Sequence, residues 1–326
     1  MSPLYPLKFA AIFKTALWGG RRLATLFPSA PADGPLAEAW ILSDQGDNVS
    51  RVTNGPLAGT TLRDLVRERR RELLGALADG HDVFPLLLKF IDARDRLSVQ
   101  VHPDDDGARR LAGHPRGKTE AWVVARVEPG SRIYAGFRPG VTRQQFEAAL
   151  AAGTTEELLH SFEPKVGDCV FLPAGIVHAI GGGLMVFEVQ QTSDVTFRLH
   201  DWGRVDPRTG LPRELHVEKA LACTDFASGP RRPAWPSLDH SGPVERERLV
   251  QCEYFRLYRY RGSRPFVHDG GGAGSVLVGL EGEITVRGGG REETLRAGDV
   301  LLLPAALDRV ECVPAGSYVM LECVPA

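Results

Sequence analysis

Polar side chains alternate along the stretch Leu97–Pro103 and could line a pocket. Because successive side chains of a strand point to opposite faces, one polar face of this stretch would carry Ser98, Gln100 and His102. After one connecting segment, the same alternation would give a second strand a face that carries Lys118, Glu120 and Trp122. An imidazole, a carboxylate and a carboxamide oxygen could together hold a divalent metal such as zinc, with one position open for water or substrate.

A third metal ligand is predicted in the segment 167–178. Its sequence indicates a turn, a short apolar strand, a Pro/Gly turn and a histidine that opens the next strand. This pattern resembles the second sequence motif of the cupins, whose glycine, proline, glycine and metal-binding histidine match Gly167, Pro173, Gly175 and His178. Only the residues three and four positions beyond the histidine depart from it, being Gly181 and Gly182. Of the nine histidines in the chain, we therefore expect His102 and His178 to bind the metal.

Length and composition indicate a globular protein with a substantial core. The chain has 326 residues and a net charge of -2, so it can hold two or more domains. Lysine and arginine are scattered among aspartate and glutamate, which excludes a broad basic face and makes nucleic acid or an anionic membrane an unexpected partner. No apolar run approaches the length of a transmembrane helix.

The cysteines and the N-terminal segment favour the cytoplasm. The five cysteines are widely spaced and include no C-x-x-C pair, which argues against a disulfide framework or a zinc ribbon. Lys8 and Lys14 interrupt the first apolar stretch, and no long apolar core follows Arg21 and Arg22. Neither a signal peptide nor twin-arginine export is therefore expected.

A few helices are predicted among the strands of the N-terminal part. Leucine and valine recur at helical spacing after Thr61, which is placed as an N-cap. Asp104 to Asp106 are interpreted as turn and helix-cap residues and not as a metal site. Two capping boxes predict two further short helices, namely Thr142 with Gln145 and Thr154 with Glu157. The buried segment Pro85–Asp92 is predicted to be a strand that leads, through a polar turn at Ala93 to Arg96, into a central strand that carries Gln100 and His102.

The C-terminal part contains an internal repeat of the cupin-like segment. Gly298 matches Gly167 and Pro304 matches Pro173, but Arg309 stands where His178 does. We therefore predict a mainly β protein with two cupin barrels of the jelly-roll type, the second one metal-free and structural or involved in assembly. The predicted parts are a catalytic domain with helical insertions at 1–228, a Pro-rich linker at 229–243 and a degenerate barrel at 244–326.

Taken together, the motifs resemble those of the type I phosphomannose isomerases, in the short bacterial form. The resemblance is carried by Gln100-Val101-His102-Pro103, Gly117-Lys118-Thr119-Glu120, Pro173-Ala174-Gly175-Ile176-Val177-His178-Ala179 and Ser193-Asp194-Val195-Thr196-Phe197-Arg198, with further matches at Tyr5–Phe9, Trp18–Gly20 and Glu38–Asp44. Departures are small: Asp104 stands where asparagine is common and Ala39 where serine is common. The resemblance implies a zinc-dependent double cupin that interconverts mannose 6-phosphate and fructose 6-phosphate. It also implies one zinc per chain, bound by Gln100, His102, Glu120 and His178, and an active-site Arg198.

The implied reaction would place specific demands on the site. Moving a proton between C1 and C2 of a sugar passes through an enediol, whose oxygens gain negative charge that zinc and Arg198 could stabilise. The proton could be carried by Glu188, by a histidine ligand or by zinc-bound water. The phosphate could be bound by Ser98 and Lys118, or by Arg198 instead.

Two other functions are compatible with the sequence. One is an iron-dependent cupin dioxygenase, which we expect to have a more apolar substrate cavity. The other is a sugar-phosphate-binding regulator without turnover. For the proposed enzyme the expected partner is a hexose 6-phosphate, and the expected assembly is a monomer or a weak homo-oligomer.

Overall fold

A computed structural model describes residues 3–206, 209–239 and 244–326, and it is mainly β. Within these residues the α-helices are α1 (Leu62–Leu74), α2 (Asp105–Ala112), α3 (Arg143–Ala152) and α4 (Val217–Cys223). Short 3-10 helices lie at Arg22–Thr25, Gly55–Leu57, Gly75–Gly80 and Thr155–Leu158. None of the described helices is long and apolar enough to cross a membrane.

The strands are numbered here in chain order. The first fourteen, β1 to β14, are Leu7–Lys8, Ile12–Lys14, Glu38–Leu42, Asp44–Gln45, Asn48–Val49, Leu86–Ala93, Val99–Val101, Glu120–Val127, Ile133–Phe137, Leu159–Phe162, Cys169–Leu172, His178–Ile180, Leu184–Gln191 and Phe197–His200. The remaining strands, β15 to β24, are Ser237–Asp239, Glu245–Gln251, Phe255–Gly262, Phe266–Asp269, Ser275–Glu281, Glu283–Gly288, Arg291–Arg296, Val300–Leu303, Arg309–Pro314 and Tyr318–Pro325.

Two pairs of antiparallel sheets share one strand order. The first pair has the orders β11-β8-β13-β6-β3-β2 and β10-β9-β12-β7-β14, and the second pair has β22-β19-β24-β17-β16-β15 and β21-β20-β23-β18. Strand for strand the two orders correspond, except that β14 has no counterpart and β1 is added beside β22. The repeat noticed around the cupin-like segment therefore extends over both halves of the fold. The domain boundaries remain a prediction, and β1 shows that the N-terminal segment pairs with the C-terminal sheet.

Apolar side chains fill the spaces between successive sheets. One cluster joins the five- and six-stranded sheets, a second joins the six- and seven-stranded sheets, and a third joins the seven- and four-stranded sheets. The central strands β6 and β13 are buried along their whole length, which is why Pro85–Asp92 appears as an almost continuous apolar run. A fourth cluster packs α3 and α4 against the outer face of the five-stranded sheet.

The structure confirms three of the four predicted helix starts. The Thr61 and Asp104 side chains accept hydrogen bonds from the third residue after each, and Thr142 and Gln145 form a reciprocal capping box. The capping box predicted at Thr154 is wrong. There the chain makes only the 3-10 turn Thr155–Leu158, without a side-chain cap, because β10 begins at the next residue and leaves no room for an α-helix.

The predicted linker contains a strand. Ser237–Asp239 forms β15 and pairs with β16 at the edge of the seven-stranded sheet. Pro243, which contributed to the linker prediction, lies outside the described residues.

An ion pair between Arg22 and Asp92 joins the N-terminal segment to the central strands. The Asp92 side chain has no solvent exposure, and its Oδ1 lies 2.6 Å from Arg22 Nε. The same guanidinium donates to the carbonyl oxygens of Ala93, Gly183 and Leu184, each at 3.0 Å. A Cβ at Gly20 would lie 2.4 Å from Asp92 Oδ2, so this close approach requires glycine.

Replacing Arg22 by alanine is expected to lower the free energy of unfolding by about 3 kcal/mol, because it leaves a buried carboxylate without its cation. Urea denaturation measures the change. Arg71→Ala is the matched control, since Arg71 and its partner Asp79 are both more than four-fifths exposed, and it should change stability by less than about 0.5 kcal/mol. Equal losses of unfolding free energy in the two variants would contradict the stabilising role assigned to the ion pair between Arg22 and Asp92.

Candidate metal centre and active site

Three predicted ligands converge inside the N-terminal sheet pair. His102 follows β7, Glu120 opens β8 and His178 opens β12, and one ligand atom from each lies within 4.8 Å of the other two. Glu120 Oε2 is 3.5 Å from His102 Nε2, and Glu120 Oε1 is 3.3 Å from His178 Nε2. All three side chains are at most 2% exposed. We call these three residues the His-Glu-His centre.

The backbone of the cupin-like segment fixes the positions of both histidines. His178 pairs with Gln100 across the antiparallel strands β12 and β7, which brings it next to the end of the strand that carries His102. Gly175 has φ +88°, a left-handed conformation that favours glycine, and its N–H donates to the His102 carbonyl oxygen at 2.8 Å. The glycine of the motif therefore connects the turn before His178 to His102.

Backbone carbonyls orient the two imidazoles. His102 Nδ1 lies 2.8 Å from the Val195 carbonyl oxygen, and His178 Nδ1 lies 2.8 Å from that of Ile176. A carbonyl can only accept, so each Nδ1 carries the proton and each Nε2 presents its lone pair to Glu120. Burial lowers the pKa of His178 to about 4 and lowers that of His102 as well. Both rings are therefore neutral, as metal ligands must be.

Glu120 has the environment of a metal ligand. Both of its carboxylate oxygens are buried, and neither accepts a well-formed hydrogen bond from the described residues, although Lys118 Nζ lies 2.7 Å from Oε2. Burial and the neighbouring Glu188 raise the pKa of Glu120. A carboxylate and two imidazole lone pairs that face one another form an N/O donor set that fits a divalent metal such as zinc.

Gln100, the fourth predicted ligand, adjoins the His-Glu-His centre. Its Nε2 lies 3.3 Å from His178 Nε2 and its Oε1 lies 3.4 Å from Ser98 Oγ. Its amide is thus in place beside the centre, and its role as a metal ligand remains a prediction.

A chain of alternating charges extends from the His-Glu-His centre. Lys118 Nζ lies between Glu120 and Glu188, at 2.7 Å and 3.4 Å from their nearest oxygens. Lys89 Nζ lies 3.1 Å from Glu188 and 3.3 Å from Glu38. Although burial acts in the opposite direction, Lys118 and Lys89 lower the pKa of Glu188 to about 2. Glu188 is therefore ionised while it is almost completely buried.

A cavity of about 330 Å³ is lined by Lys118, Lys89, Glu188 and Glu38. Its wall includes all five predicted site residues outside the His-Glu-His centre, namely Ser98, Gln100, Lys118, Glu188 and Arg198. It also includes charged residues that the sequence analysis did not single out, namely Glu38, Lys89, Asp194 and Arg213. A larger groove of about 1090 Å³ elsewhere on the surface contains none of the predicted site residues.

Arg198 stands at one side of the cavity without a carboxylate partner among the described residues. Its Nε donates to Ser98 Oγ at 3.3 Å and its Nη1 to the Glu214 carbonyl oxygen at 2.8 Å. Arg213 lines the same cavity, and Asp201 holds its guanidinium through two hydrogen bonds of 2.5 and 2.8 Å. This side of the cavity thus offers two guanidinium groups and a hydroxyl group to an anion.

The second copy of the fold lacks the corresponding ligands. Leu172 pairs with Glu120, and its counterpart Leu303 pairs with Ser275, so a serine occupies the position of Glu120. The Arg309 side chain is 73% exposed and pairs with Asp269 at 2.8 Å, outside the sheet pair. The absence of metal from this part remains a prediction, which these substitutions support.

Comparisons with known proteins agree with the fold. A family model described as the catalytic domain of type I phosphomannose isomerase matches residues 7–130. The mannose-6-phosphate isomerase of Streptococcus mutans is 36% identical over 308 residues, which cover 92% of each chain. The chain belongs to the type I phosphomannose isomerase family. Mannose-6-phosphate isomerase ManA of Bacillus subtilis, another relative, is 34% identical over 93% of this chain and 94% of its own.

Solved structures extend the likeness over the whole chain. The crystal structure of the mannose 6-phosphate isomerase from Bacillus subtilis superposes with a TM-score of 0.88 at 28% identity, covering 98% of this chain and 99% of that one. A putative mannosephosphate isomerase from Archaeoglobus fulgidus, at 23% identity and a TM-score of 0.79, shares the fold. The resemblance to the type I phosphomannose isomerases inferred from the motifs is thereby confirmed.

His178→Ala is expected to abolish retention of the metal, because it removes one of the three converging ligand atoms. The loss of affinity should exceed the roughly 10–100-fold cost of removing a residue that only supports a ligand. Metal analysis of the purified variants measures it. His81→Ala, outside the cavity, should keep the metal content of the unaltered chain, and an equally loaded His178→Ala would contradict the site.

Proposed function

We propose that this chain is a zinc-dependent mannose-6-phosphate isomerase that interconverts mannose 6-phosphate and fructose 6-phosphate through an enediol. The observation that carries the proposal is the His-Glu-His centre, which Gln100 and Lys118 connect to a charged cavity that also contains Arg198 and Glu188. Membership in the family and the names of its relatives support the substrate. Zinc, when bound to His102, Glu120 and His178, with Gln100 as a fourth ligand, would act as a Lewis acid towards the sugar oxygens.

Arg198 is proposed to stabilise the negative charge that develops on the sugar oxygens. Hydrogen bonds to Ser98 and to the Glu214 carbonyl fix the guanidinium before the substrate arrives. A preorganised cation favours the enediolate over the ground state, because the charge is larger in the transition state.

Glu188 is the protein group that we propose for proton transfer between C1 and C2. Its ionised carboxylate lines the cavity, where it can lie within hydrogen-bond reach of a bound sugar and accept a proton, and its ion pairs with Lys89 and Lys118 hold it there. The histidine ligands are less suitable, because Nδ1 of each donates to a carbonyl and Nε2 of each faces Glu120. Metal-bound water remains the alternative to Glu188.

The phosphate of the substrate is proposed to bind at Arg198 and Ser98, with Arg213 beside them. The sequence analysis also considered Lys118 for this role. Lys118 is 3% exposed and has a carboxylate on either side, so its charge is already compensated. Arg198 has no such partner in the described part of the chain, and a guanidinium can bind phosphate through two hydrogen bonds.

The cavity wall favours this proposal over an iron dioxygenase. Much of the wall consists of positively and negatively charged side chains. These are Glu38, Lys89, Lys118, Glu188, Asp194, Arg198 and Arg213. A hexose phosphate matches such a wall, whereas the apolar substrate expected for a dioxygenase does not. The convergence of His102, Glu120 and His178 likewise favours turnover over a regulator that only binds sugar phosphate. A cytoplasmic location and a monomer or weak homo-oligomer remain predictions.

Removal of the metal by a chelator is expected to reduce isomerisation of fructose 6-phosphate at least about tenfold, and added zinc should restore it. A coupled assay that detects mannose 6-phosphate gives the rate, alongside metal analysis of each sample. Equal rates for the stripped and the zinc-loaded protein would refute the zinc-dependent mechanism.

Arg198→Ala is expected to retain zinc but to lose about 100-fold or more in kcat, because it removes a cation that acts in the transition state. Arg143→Ala, on the surface of α3, is the control and should behave like the unaltered chain. If Arg198→Ala loses its zinc, or keeps its kcat, the separation between metal-binding and catalytic residues is wrong.

A further inference from the structure

Trp122 contacts both the candidate metal centre and the candidate proton-transfer residue. It lies two positions after Glu120 on β8, is 1% exposed and faces the cavity. We propose that Trp122 is a positioning residue, whose indole N–H holds the Glu188 carboxylate in a fixed orientation relative to the His-Glu-His centre. The inference rests on the proposed function, since it assigns a task in the same reaction.

The hydrogen bond to Glu188 is the first observation that supports this role. Trp122 Nε1 donates to Glu188 Oε2 at 2.8 Å. The other oxygen, Oε1, faces the ammonium groups of Lys89 and Lys118. Two lysines alone would leave the carboxylate free to exchange its oxygens by rotation, because an ammonium group is a point charge without a preferred plane. The indole N–H points in one direction, so its hydrogen bond fixes the orientation of the carboxylate, which the lysines do not.

The packing of the indole against His178 is the second observation. The two rings meet edge to face, with centroids 5.3 Å apart and planes at 81°. The same rigid side chain therefore touches the carboxylate on one side and a metal-ligand ring on the other. Because the indole is rigid, it keeps the carboxylate and the His178 ring at a constant distance from each other, which a flexible side chain cannot do.

The second copy of the fold shows that a tryptophan is not needed to build this strand. In the first copy, Lys89, Glu188 and Trp122 are neighbours across β6, β13 and β8. In the second copy, the corresponding row is Tyr258, Glu322 and Leu277, in strands paired the same way. Leu277 is fully buried without donating a side-chain hydrogen bond. In the second copy the carboxylate of Glu322 is bound by Tyr260 and His268 instead, so the tryptophan donor occurs in the copy that holds the candidate active site.

The primary test replaces Trp122 by phenylalanine, which keeps a ring beside His178 and deletes the N–H donor. On metal-loaded protein, we expect kcat with fructose 6-phosphate to fall roughly 10–100-fold, the effect of one hydrogen bond to a charged group. KM should change by less than about threefold, because the ground-state contacts to the phosphate remain. Metal content and the thermal midpoint, measured on the same samples, separate this effect from a loss of structure.

A double-mutant cycle with Glu188→Gln shows whether Trp122 acts through Glu188. If it does, Trp122→Phe in the Glu188→Gln background should change kcat by less than about twofold, because the partner that it orients no longer functions. Trp202→Phe is the matched control: it also removes one indole donor, but the acceptor is the Leu97 carbonyl oxygen. Trp202→Phe is expected to change the thermal midpoint, and its effect should be the same with and without Glu188→Gln.

Each outcome decides the proposal. It is overturned if Trp122→Phe keeps full kcat, if its effect simply adds to that of Glu188→Gln, or if kcat falls only in proportion to lost metal. If the phenylalanine variant does not fold, the same measurements are made on Trp122→Leu, because leucine occupies the corresponding position in the second copy. Failure of both variants to fold would make Trp122 a structural residue. An unaltered chain that does not isomerise hexose 6-phosphates would instead refute the proposed function.

Discussion

Burial of ionised carboxylates is the constraint on which the rest of the site depends. Glu120 and Glu188 are at most 2% exposed, and an isolated charge in such a position would cost several kcal/mol. The cost is offset by two buried lysines, Lys118 between the two carboxylates and Lys89 beyond Glu188, and a metal bound at Glu120 would add to this compensation. Lys89 lies on β6, Lys118 just before β8 and Glu188 on β13, so these strands must pair in the correct register before the charges can balance. Fold and chemistry therefore depend on the same set of contacts.

The two copies of the fold show how one architecture supports two different interiors. Strand order and pairing are repeated, and Glu322 pairs with its neighbours as Glu188 does. In the second copy, however, His268 Nε2 and the Tyr260 hydroxyl lie 2.6 and 2.8 Å from Glu322. This carboxylate is satisfied by protein groups alone. The scaffold thus tolerates a buried glutamate in both places, and the neighbouring side chains decide whether the space remains open to a substrate.

Features with a local cause could be predicted from the sequence. The turn before His178 depends on Gly167, Pro173 and Gly175, and the starts of α1, α2 and α3 depend on caps within four residues. Strand alternation was sufficient to place Ser98, Gln100 and His102 together. The capping box at Thr154 failed because the pattern is short and the following strand competes for the same residues.

Features that arise from long-range pairing could not be predicted in the same way. Lys89 sits in an apolar run, where a single lysine gives no sign that Glu38 and Glu188 lie on either side of it. Arg213 follows a bend, and only the folded chain brings it beside Arg198. The hydrogen bond between Trp122 and Glu188 joins residues that are 66 positions apart in the sequence. For Lys89, the one available signal was a charge in an otherwise buried strand, since such a charge requires a partner.

The most direct test of the central claim is X-ray absorption spectroscopy at the zinc edge of the zinc-loaded protein. The account predicts nitrogen and oxygen scatterers at about 2.0–2.1 Å and the multiple scattering of two imidazoles, with no sulfur. A spectrum with sulfur scatterers at about 2.3 Å, or with the signature of fewer than two imidazoles, would contradict convergence of His102, Glu120 and His178 on one ion.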